Sequence, residues 1–279
     1  MDITKENLKS REEKIEKILE DINNSTSKEV ISIKATVEKA SLYNSKFGGI
    51  PYIPKDDEIP KSNSGKQLKL LAQINFNEVP INNFLPTQGI LQFYIEPQDD
   101  LCGVDFDNPL NQDNFRVVYY ENIDTTLKED DIKVKLVDFK EDYFPIEGEY
   151  KIEFTYGKEG ISIDDYAFDK IFTEHCNKYF QDYDIEDTYD LEDDEYDLIS
   201  DKIDSSGHKI GGYPFFTQED PRGYKEFKEF DTVLLQIDSE WEDGINIMWG
   251  DSGVCNFFID SKDLKNKDFS KVLYNWDCY

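Results

Sequence analysis

The chain has 279 residues, of which 38% are hydrophobic and 33% charged, and its formal net charge is −30. Its 19 Phe and 17 Tyr can fill a sizeable core, which excludes wholesale disorder. The charge opposes binding to nucleic acid and to anionic membranes and favours a basic partner, although acidity also serves solubility alone.

Targeting and metal-binding signals are also missing from the sequence. No apolar run approaches the ~20 residues that a membrane-spanning helix needs, and residues 1–7 lack the apolar segment of a signal peptide. We therefore expect a cytoplasmic protein without membrane contact. The cysteines are far apart and should be free, mostly buried thiols. Together with the two histidines they show no ligand spacing, so we expect no metal and no cofactor. The cysteines are Cys102, Cys176, Cys255 and Cys278.

The chain opens with a predicted amphipathic helix over residues 4–22. Its apolar side chains recur on one helical stripe, and the polar run 23–27 should end it. From Val30 to Val37 apolar and polar residues alternate, which predicts a half-buried strand. The stripe consists of Leu8, Ile15, Ile18, Leu19 and Ile22.

Further strands are predicted along the chain, and together they indicate an antiparallel sheet. Residues 164–180 change to helical periodicity through Phe168, Ile171, Phe172, His175 and Tyr179. The acid-rich stretch 182–204 keeps helical spacing of its apolar residues, so we interpret it as an acidic amphipathic helix, with a disordered linker as the alternative. The predicted strands are 68–74, 89–95, 115–120, 132–139 and 150–156.

Two stretches of the sequence repeat one another. The first copy contains a Gly-Gly-Ile-Pro turn at position 48, and the second a Gly-Gly-Tyr-Pro turn at position 211. A Leu-Ala-Gln-Ile strand with Gln73 corresponds to a Leu-Leu-Gln-Ile strand with Gln236 at the same offset. We therefore predict an α+β fold in which two half-domains, each with a largely antiparallel sheet, pack as an internal pseudo-dimer.

The predicted organisation is a single compact unit over residues 1–279. An N-terminal helix occupies 1–27, and the first half with the first repeat copy occupies 28–163. A helical and acidic connector follows at 164–204, and the second copy occupies 205–279. The N-terminal helix and the stretch 182–204 should lie on the outside.

Several ordered motifs of the chain are similar to those of one known family. From about Ile31 to the C-terminus the chain resembles the YwqG-like family of bacterial proteins of unknown function. The resemblance implies an α+β fold with internal pseudo-symmetry, and it implies no reaction, substrate or catalytic residue. The motifs are 45–54, 70–76, 89–95, 111–117, 211–214, 218–222 and 249–253.

Short motifs with possible catalytic meaning have simpler structural interpretations. Gly250-Asp251-Ser252-Gly253 matches the tetrapeptide around a serine nucleophile, but it leads into an apolar strand as a turn does. His175 and Cys176 are neighbours on a predicted helix and point about 100° apart, so they do not form a nucleophile–base pair.

The acidic and glycine-rich motifs also lack the context of a binding site. The acids from Asp184 to Glu195 have the length of a calcium loop, but Tyr189 stands where that loop needs glycine. The two Gly-Gly pairs precede extended, proline-containing segments rather than the helix that a phosphate loop needs. We interpret them as turns.

The candidate site residues are those that the repeat and the second copy bring forward. Gln73 and Gln236 are either core amides bonded to backbone or the lining of a cleft between the halves. Arg222 could hold an anion or pair with Asp220. Trp249 and Asp251, in the turn before the last apolar strand, complete the set.

The preferred function is that of a non-catalytic binding protein whose acidic surface engages a basic protein partner. A concrete form is an immunity-type protein that covers the nucleic-acid site of a basic toxin. The alternatives are an enzyme or a small-ligand module that uses a polar cleft between the halves. The sequence does not specify an oligomeric state.

Overall fold

The computed structural model describes residues 3–139, 143–179 and 188–279. An N-terminal helix is followed by ten strands, and four further helices lie between them. In chain order the elements are α1 (Ile3–Thr26), β1 (Lys28–Thr36), β2 (Lys46–Gly48), β3 (Lys69–Asn75), β4 (Ile90–Ile95), β5 (Phe115–Tyr120), α2 (Glu129–Lys133), β6 (Glu149–Glu159), α3 (Phe168–Tyr179), α4 (Asp193–Ser200), β7 (His208–Gly211), β8 (Thr232–Asp238), β9 (Val254–Ile259), α5 (Ser261–Lys265) and β10 (Leu273–Asp277).

The strands of the described chain form one sheet, in the order β10-β9-β8-β7-β1-β6-β2-β3-β4-β5, and neighbouring strands are antiparallel. β1 and β6 pair at the centre, from Lys28 opposite Glu159 to Thr36 opposite Lys151. The α+β class is thus confirmed, but the expectation of two separate half-domain sheets is wrong. Because β1 pairs with β7 and β6 pairs with β2, the sheet runs through both halves.

The repeated stretches occupy corresponding places in the two arms of this sheet. One arm is β2 to β5, and the other is β7 to β10. Each arm has a bulge at the same point of the repeat, between Leu70 and Ala72 in β3 and between Val233 and Leu235 in β8. A bulge bends its strand and increases the local twist, so both arms curve at matching positions.

The sheet curls into a half-barrel whose inner face encloses the main core. Aromatic rings from the two arms meet across this core, with centroids 4.9 Å apart for Phe93 and Phe257 and 5.1 Å apart for Phe115 and Tyr274. Rings of this size bury more apolar surface than any other side chains. The two arms therefore share one aromatic interior.

Helix α1 packs with α3 and α4 around a separate apolar cluster. The predicted stripe is buried from Ile15 to Ile22, while the side chain of Leu8 lies outside the described part of the structure. The helix continues to Thr26, past the predicted stop at residues 23–27. The hydroxyls of Ser25 and Thr26 donate to the Ile22 carbonyl oxygen at 3.1 and 2.8 Å, which satisfies an acceptor at the helix end.

The strand predicted at 132–139 is absent from the described chain, and helix α2 occupies its first residues. The acids of residues 129–131 stand in the first turn, where the helix dipole favours negative charge. The predicted alternation runs through Ile132, Val134, Leu136 and Asp138, but only Ile132 is buried and the other three are exposed. The alternation therefore did not mark a buried face, and Gln67 instead holds the segment by bonds to Lys135 O and Val137 N.

The acidic stretch 182–204 is only partly helical where the structure describes it. A short 3-10 turn covers Thr188–Asp190 and α4 covers Asp193–Ser200, with Ile199 buried against α1 and α3. Residues 180–187, including Ile185 of the predicted apolar set, lie outside the described residues. Within the described ranges, no helix has both the length and the apolar character to cross a bilayer.

Candidate functional site

Gln73 is a fully buried amide in β3 whose hydrogen bonds all stay inside the core. Its Oε1 accepts from Tyr52 N at 2.8 Å and from Gln92 Nε2 at 2.7 Å. Its Nε2 donates to the carbonyl oxygens of Leu42 and Asn44 at 2.9 and 2.8 Å. These bonds tie the segments before and after β2 to β3.

Gln236 repeats this arrangement in β8, where it too is fully buried. Its Oε1 accepts from Phe215 N at 2.8 Å, and its Nε2 donates to the carbonyl oxygens of Ser205 and Gly207 at 2.9 and 2.8 Å. Both glutamines thus make the contacts of the core-amide interpretation. Neither is among the residues that line the grooves described in this structure.

Two buried lysines lie at matching positions beside these glutamines. Lys46 Nζ is 3.7 Å from Glu149 Oε2, and Lys209 Nζ is 3.0 Å from Glu159 Oε1. Burial lowers the pKa of each lysine, and the neighbouring carboxylate partly offsets this effect. Each pair is a buried salt bridge that joins an arm to central strand β6.

The two Gly-Gly turns are shaped by the same carboxylates. Gly49 and Gly212 have φ of 76° and 65°, in the left-handed region that suits glycine. A Cβ atom on Gly49 would clash with the Glu149 carboxylate, and one on Gly212 with the Glu159 carboxylate. Because a carboxylate already fills each turn, the turns are structural and leave no room there for a phosphate.

Arg222 lies buried in an ion-pair cluster rather than in an open cleft. Its Nη2 is 2.8 Å from Asp165 Oδ2 and 2.6 Å from Asp220 Oδ2, and its guanidinium lies 4.5 Å from the Phe258 ring centroid. Burial alone lowers the pKa of Arg222, but these two carboxylates raise it above its ordinary value. The guanidinium of Arg222 is therefore already paired with two carboxylates of the protein. Nearby, burial raises the pKa of Asp164 to about 6.

Trp249 and Asp251 share a turn but face different surroundings. Trp249 is fully buried beside Trp276, with ring centroids 6.0 Å apart. Asp251 is exposed, and Gly253 N donates to Trp249 O at 2.7 Å to close the turn. Of the candidate residues, the structure brings together only this neighbouring pair. Ser252 of the Gly-Asp-Ser-Gly motif lies in this turn, as predicted, with φ of 58°.

Both histidines form hydrogen bonds within the protein, and the Cys176 thiol is buried. His175 Nδ1 lies 2.8 Å from Ile171 O one turn earlier in α3, and burial raises the pKa of Cys176 to about 12. His208 Nδ1 accepts from Asp238 N at 3.0 Å, so its proton lies on Nε2, 2.8 Å from Glu240 Oε2. In the described ranges, no group of three or more His, Cys, Asp or Glu residues could hold a metal ion.

A surface that the sequence analysis did not select combines an exposed tryptophan with acidic residues. Trp241 is 61% exposed, and the described residues make no hydrogen bond or ring contact with it. Glu242 and Asp243 follow it and are exposed, as are Val37 and Glu147 on adjacent segments. We call Val37, Glu147, Trp241, Glu242 and Asp243 the Trp241 surface.

The loop that carries the Trp241 surface is anchored at its base. Glu240 N and Ile247 N each donate to the other residue's carbonyl oxygen, at 2.8 and 2.7 Å. Ile247 is fully buried, and Asn246 Nδ2 donates to Glu147 Oε2 at 2.6 Å. The tip contains Asp243 and Gly244 with positive φ. The tryptophan is thus presented on a short, fixed loop, and the Asp-Gly pair was the available sequence signal for it.

Comparison with known proteins identifies a family for most of the chain. Residues 45–278 match the family model described as Domain of unknown function (DUF1963). The chain belongs to this family. The DUF1963 match begins just before β2 and takes in both arms of the sheet, both Gly-Gly turns and Trp241. A search of the curated proteins found no match.

Proposed function

We propose that this DUF1963 protein is a non-catalytic binding protein, and that the Trp241 surface receives a basic protein partner. The single observation that carries the proposal is the exposure of Trp241 on an anchored loop among exposed acids. Tryptophan is enriched among the residues that dominate protein interfaces. Its ring also attracts the ammonium and guanidinium groups of a basic partner.

The charge of the whole chain supports the same partner chemistry. A net charge of −30 attracts a basic protein and accelerates its arrival at low salt. A basic protein that binds nucleic acid offers lysines and arginines in one patch, which the acids around Trp241 would cover. The concrete form of the proposal is therefore an immunity-type protein that blocks such a patch on a toxin.

The test is affinity capture with the tagged chain from a lysate of cells that encode it. At about 50 mM NaCl the chain should retain a protein of basic isoelectric point, and at about 500 mM it should release it, because salt screens exposed charges. Trp241→Ala should weaken retention about tenfold or more, the loss typical of an interface hot spot. The double variant Glu242→Lys, Asp243→Lys should weaken it through repulsion.

Tyr224→Ala is the matched control, because Tyr224 is also an exposed aromatic side chain, at 54%, in a different loop. It should leave capture unchanged. Capture that salt does not affect, capture of an acidic protein, or equal capture by the wild type and Trp241→Ala would each refute the proposal.

We propose further that the two arms descend from one duplicated unit. Strand β1 precedes the first copy in sequence but pairs with β7 of the second, and β6 precedes the second copy but pairs with β2 of the first. We therefore propose that β1 and β6 exchanged places between the copies. The matching bulges, the matching glutamine contacts and the matching lysine–glutamate pairs support this origin. Within the DUF1963 family, the motifs of the sequence favour a YwqG-like member. We also propose a cytoplasmic location, which the free cysteines support.

A further inference from the structure

A groove of about 590 Å³ lies where the two arms of the curled sheet approach each other. One wall is edge strand β5 with the residues before it, and the other is the segment Lys267–Ser270 after α5. Gln112 joins the walls, since its Oε1 accepts from Val117 N and its Nε2 donates to Phe269 O, both at 2.9 Å. The groove is therefore a built feature of the fold that both halves line.

Arg116 lines this groove without a carboxylate partner. Its Nε donates to Gln112 O at 2.9 Å, which holds the side chain in place. Neither Nη atom has a hydrogen bond or an ion pair to the part of the chain that the structure describes. The contrast is Arg222, whose guanidinium contacts two aspartates. With 61 acids against 31 basic residues in the chain, a guanidinium left without a carboxylate is the exception that needs a reason.

The charges around Arg116 also differ from those of the rest of the surface. The segment from α5 to β10 carries more lysines than aspartates. Lys267 lies on the groove and pairs with Glu121, while Asp113 Oδ1 accepts from Asn63 N at 2.5 Å. The residues of this segment are Lys262, Asp263, Lys265, Lys267, Asp268 and Lys271. Among the charged side chains that line the groove, two are basic and one is acidic, in a chain with about twice as many acids as bases.

Two aromatic rings also line the groove. The rings of Tyr119 and Phe269 are 5.4 Å apart and tilted, and Tyr119 Oη donates to Gln88 O at 2.8 Å. Asn111 and Ser270 add polar side chains to the lining. A flat or apolar group of a ligand would lie against the rings while an acidic group reaches the guanidinium.

We infer that this groove binds a small molecule that carries a carboxylate or phosphate group next to an aromatic or apolar part. The two Nη groups of Arg116 donate to the anion in a bidentate manner, for which the planar guanidinium is suited. The groove has the size of ordinary small-molecule sites. This places the sequence-based alternative of a polar cleft between the halves at Arg116, and it is independent of the Trp241 surface.

The test is binding of three probes to the full chain: phenyl phosphate, phenylacetate and inorganic phosphate, by calorimetry and by thermal shift at constant ionic strength. At least one aromatic anion should bind saturably at one site and raise the melting temperature, because a ligand of the folded state stabilises it. It should bind more tightly than inorganic phosphate. Comparison of the two aromatic probes tells a phosphate site from a carboxylate site.

Arg116→Gln should weaken the binding of that probe about tenfold or more, the loss expected for a hydrogen bond to a charged group. Arg116→Lys keeps the charge, so its loss should be smaller, and this variant separates recognition from misfolding. Lys228→Gln, an exposed lysine that does not line the groove, is the control and should bind as the wild type does. Absence of saturable binding by every probe, or wild-type affinity in Arg116→Gln, would overturn the inference.

Discussion

At the scale of single residues, buried polar side chains in this protein hold irregular segments against the sheet through hydrogen bonds and salt bridges. The glutamines of β3 and β8 hold the loops around β2 and β7, and Lys46 and Lys209 anchor the glycine turns to β6. A polar group inside a core is costly unless it is bonded. Each of these groups is bonded, so the irregular segments keep defined positions.

Replacing either glutamine by leucine should destabilise the protein by about 2–4 kcal/mol, because the buried N–H of Tyr52 or of Phe215 loses its acceptor. Three contacts match and only Gln73 also accepts from Gln92, so Gln73→Leu should cost at least as much as Gln236→Leu in urea-induced unfolding. Gln88→Leu, at an exposed position, is the control. If either variant lost less free energy of unfolding than the control, these glutamines would not stabilise the fold as argued.

Asp164 predicts a pH dependence of stability whose sign follows from its pKa. Burial raises that pKa to about 6 from an ordinary value of 3.8, so between these pH values the folded chain holds more protons than the unfolded chain. The free energy of unfolding therefore falls as pH rises through this window, and it stays lower at higher pH because the buried carboxylate is then ionised. Asp164→Asn removes this cost of ionisation.

We expect Asp164→Asn to be more stable than the wild type at pH 7.5 by about 1–2 kcal/mol, allowing for solvent screening. The difference should narrow at pH 5. Urea unfolding at the two pH values measures it, with exposed Asp251→Asn as the matched control. A difference that does not change with pH, or a less stable variant, would show that burial does not penalise this carboxylate.

At the scale of elements, the chain separates a sheet core from a helical cluster. Ile15, Ile18 and Ile22 of α1 pack with α3 and α4, while the aromatic core lies within the curl of the sheet. Two cores that share few side chains respond differently to a local change. Stability across one fold is not uniform when its contacts divide in this way.

Ile18→Ala should therefore loosen the helical cluster without opening the sheet. The loss of a fully buried isoleucine costs about 2–4 kcal/mol and leaves a cavity against α3. Hydrogen exchange of α3 amides should accelerate, whereas exchange in β3 should stay close to that of the wild type. Glu13→Ala, on the exposed face of α1, is the control. Equal acceleration in β3 would mean that the two cores unfold as one unit.

Sequence patterns predicted the elements whose burial is regular and missed those whose position depends on distant contacts. β5 was predicted over its full span, and β3 and β4 to within one residue. Most side chains of these strands are apolar, and the buried glutamines among them form hydrogen bonds. Residues 132–139 alternate equally well, but the helix dipole and Gln67 determine their structure. The joining of both halves into one sheet depends on the pairing of β1 with β7 and of β6 with β2, and β1 and β6 lie outside the repeated sequence stretches.

Site prediction had the same limit. The repeat led to Gln73 and Gln236, since a duplicated polar residue in an apolar strand is conspicuous in sequence, but both proved to be saturated core amides. Arg222 was expected either to hold an anion or to pair with Asp220, and it pairs with Asp165 and Asp220. The exposure of Trp241, and the absence of a carboxylate partner for Arg116 among the described residues, depend on neighbours in three dimensions, which spacing along the chain does not reveal.

At the scale of the whole molecule, one curled sheet holds a shared aromatic interior under a strongly negative surface. We propose that the net charge of −30 attracts a basic partner, but charge alone does not define a docking site. Trp241 adds an exposed apolar ring on a loop that is anchored at its base. The central claim is that binding occurs there.

The most direct measurement replaces Trp241 by a photo-crosslinking aromatic amino acid in living cells and identifies the adducts by mass spectrometry. The account predicts adducts dominated by one protein of basic isoelectric point, and none of that protein when the crosslinker replaces Tyr224. Absence of adducts at position 241, adducts with an acidic protein, or the same adducts at both positions would contradict it.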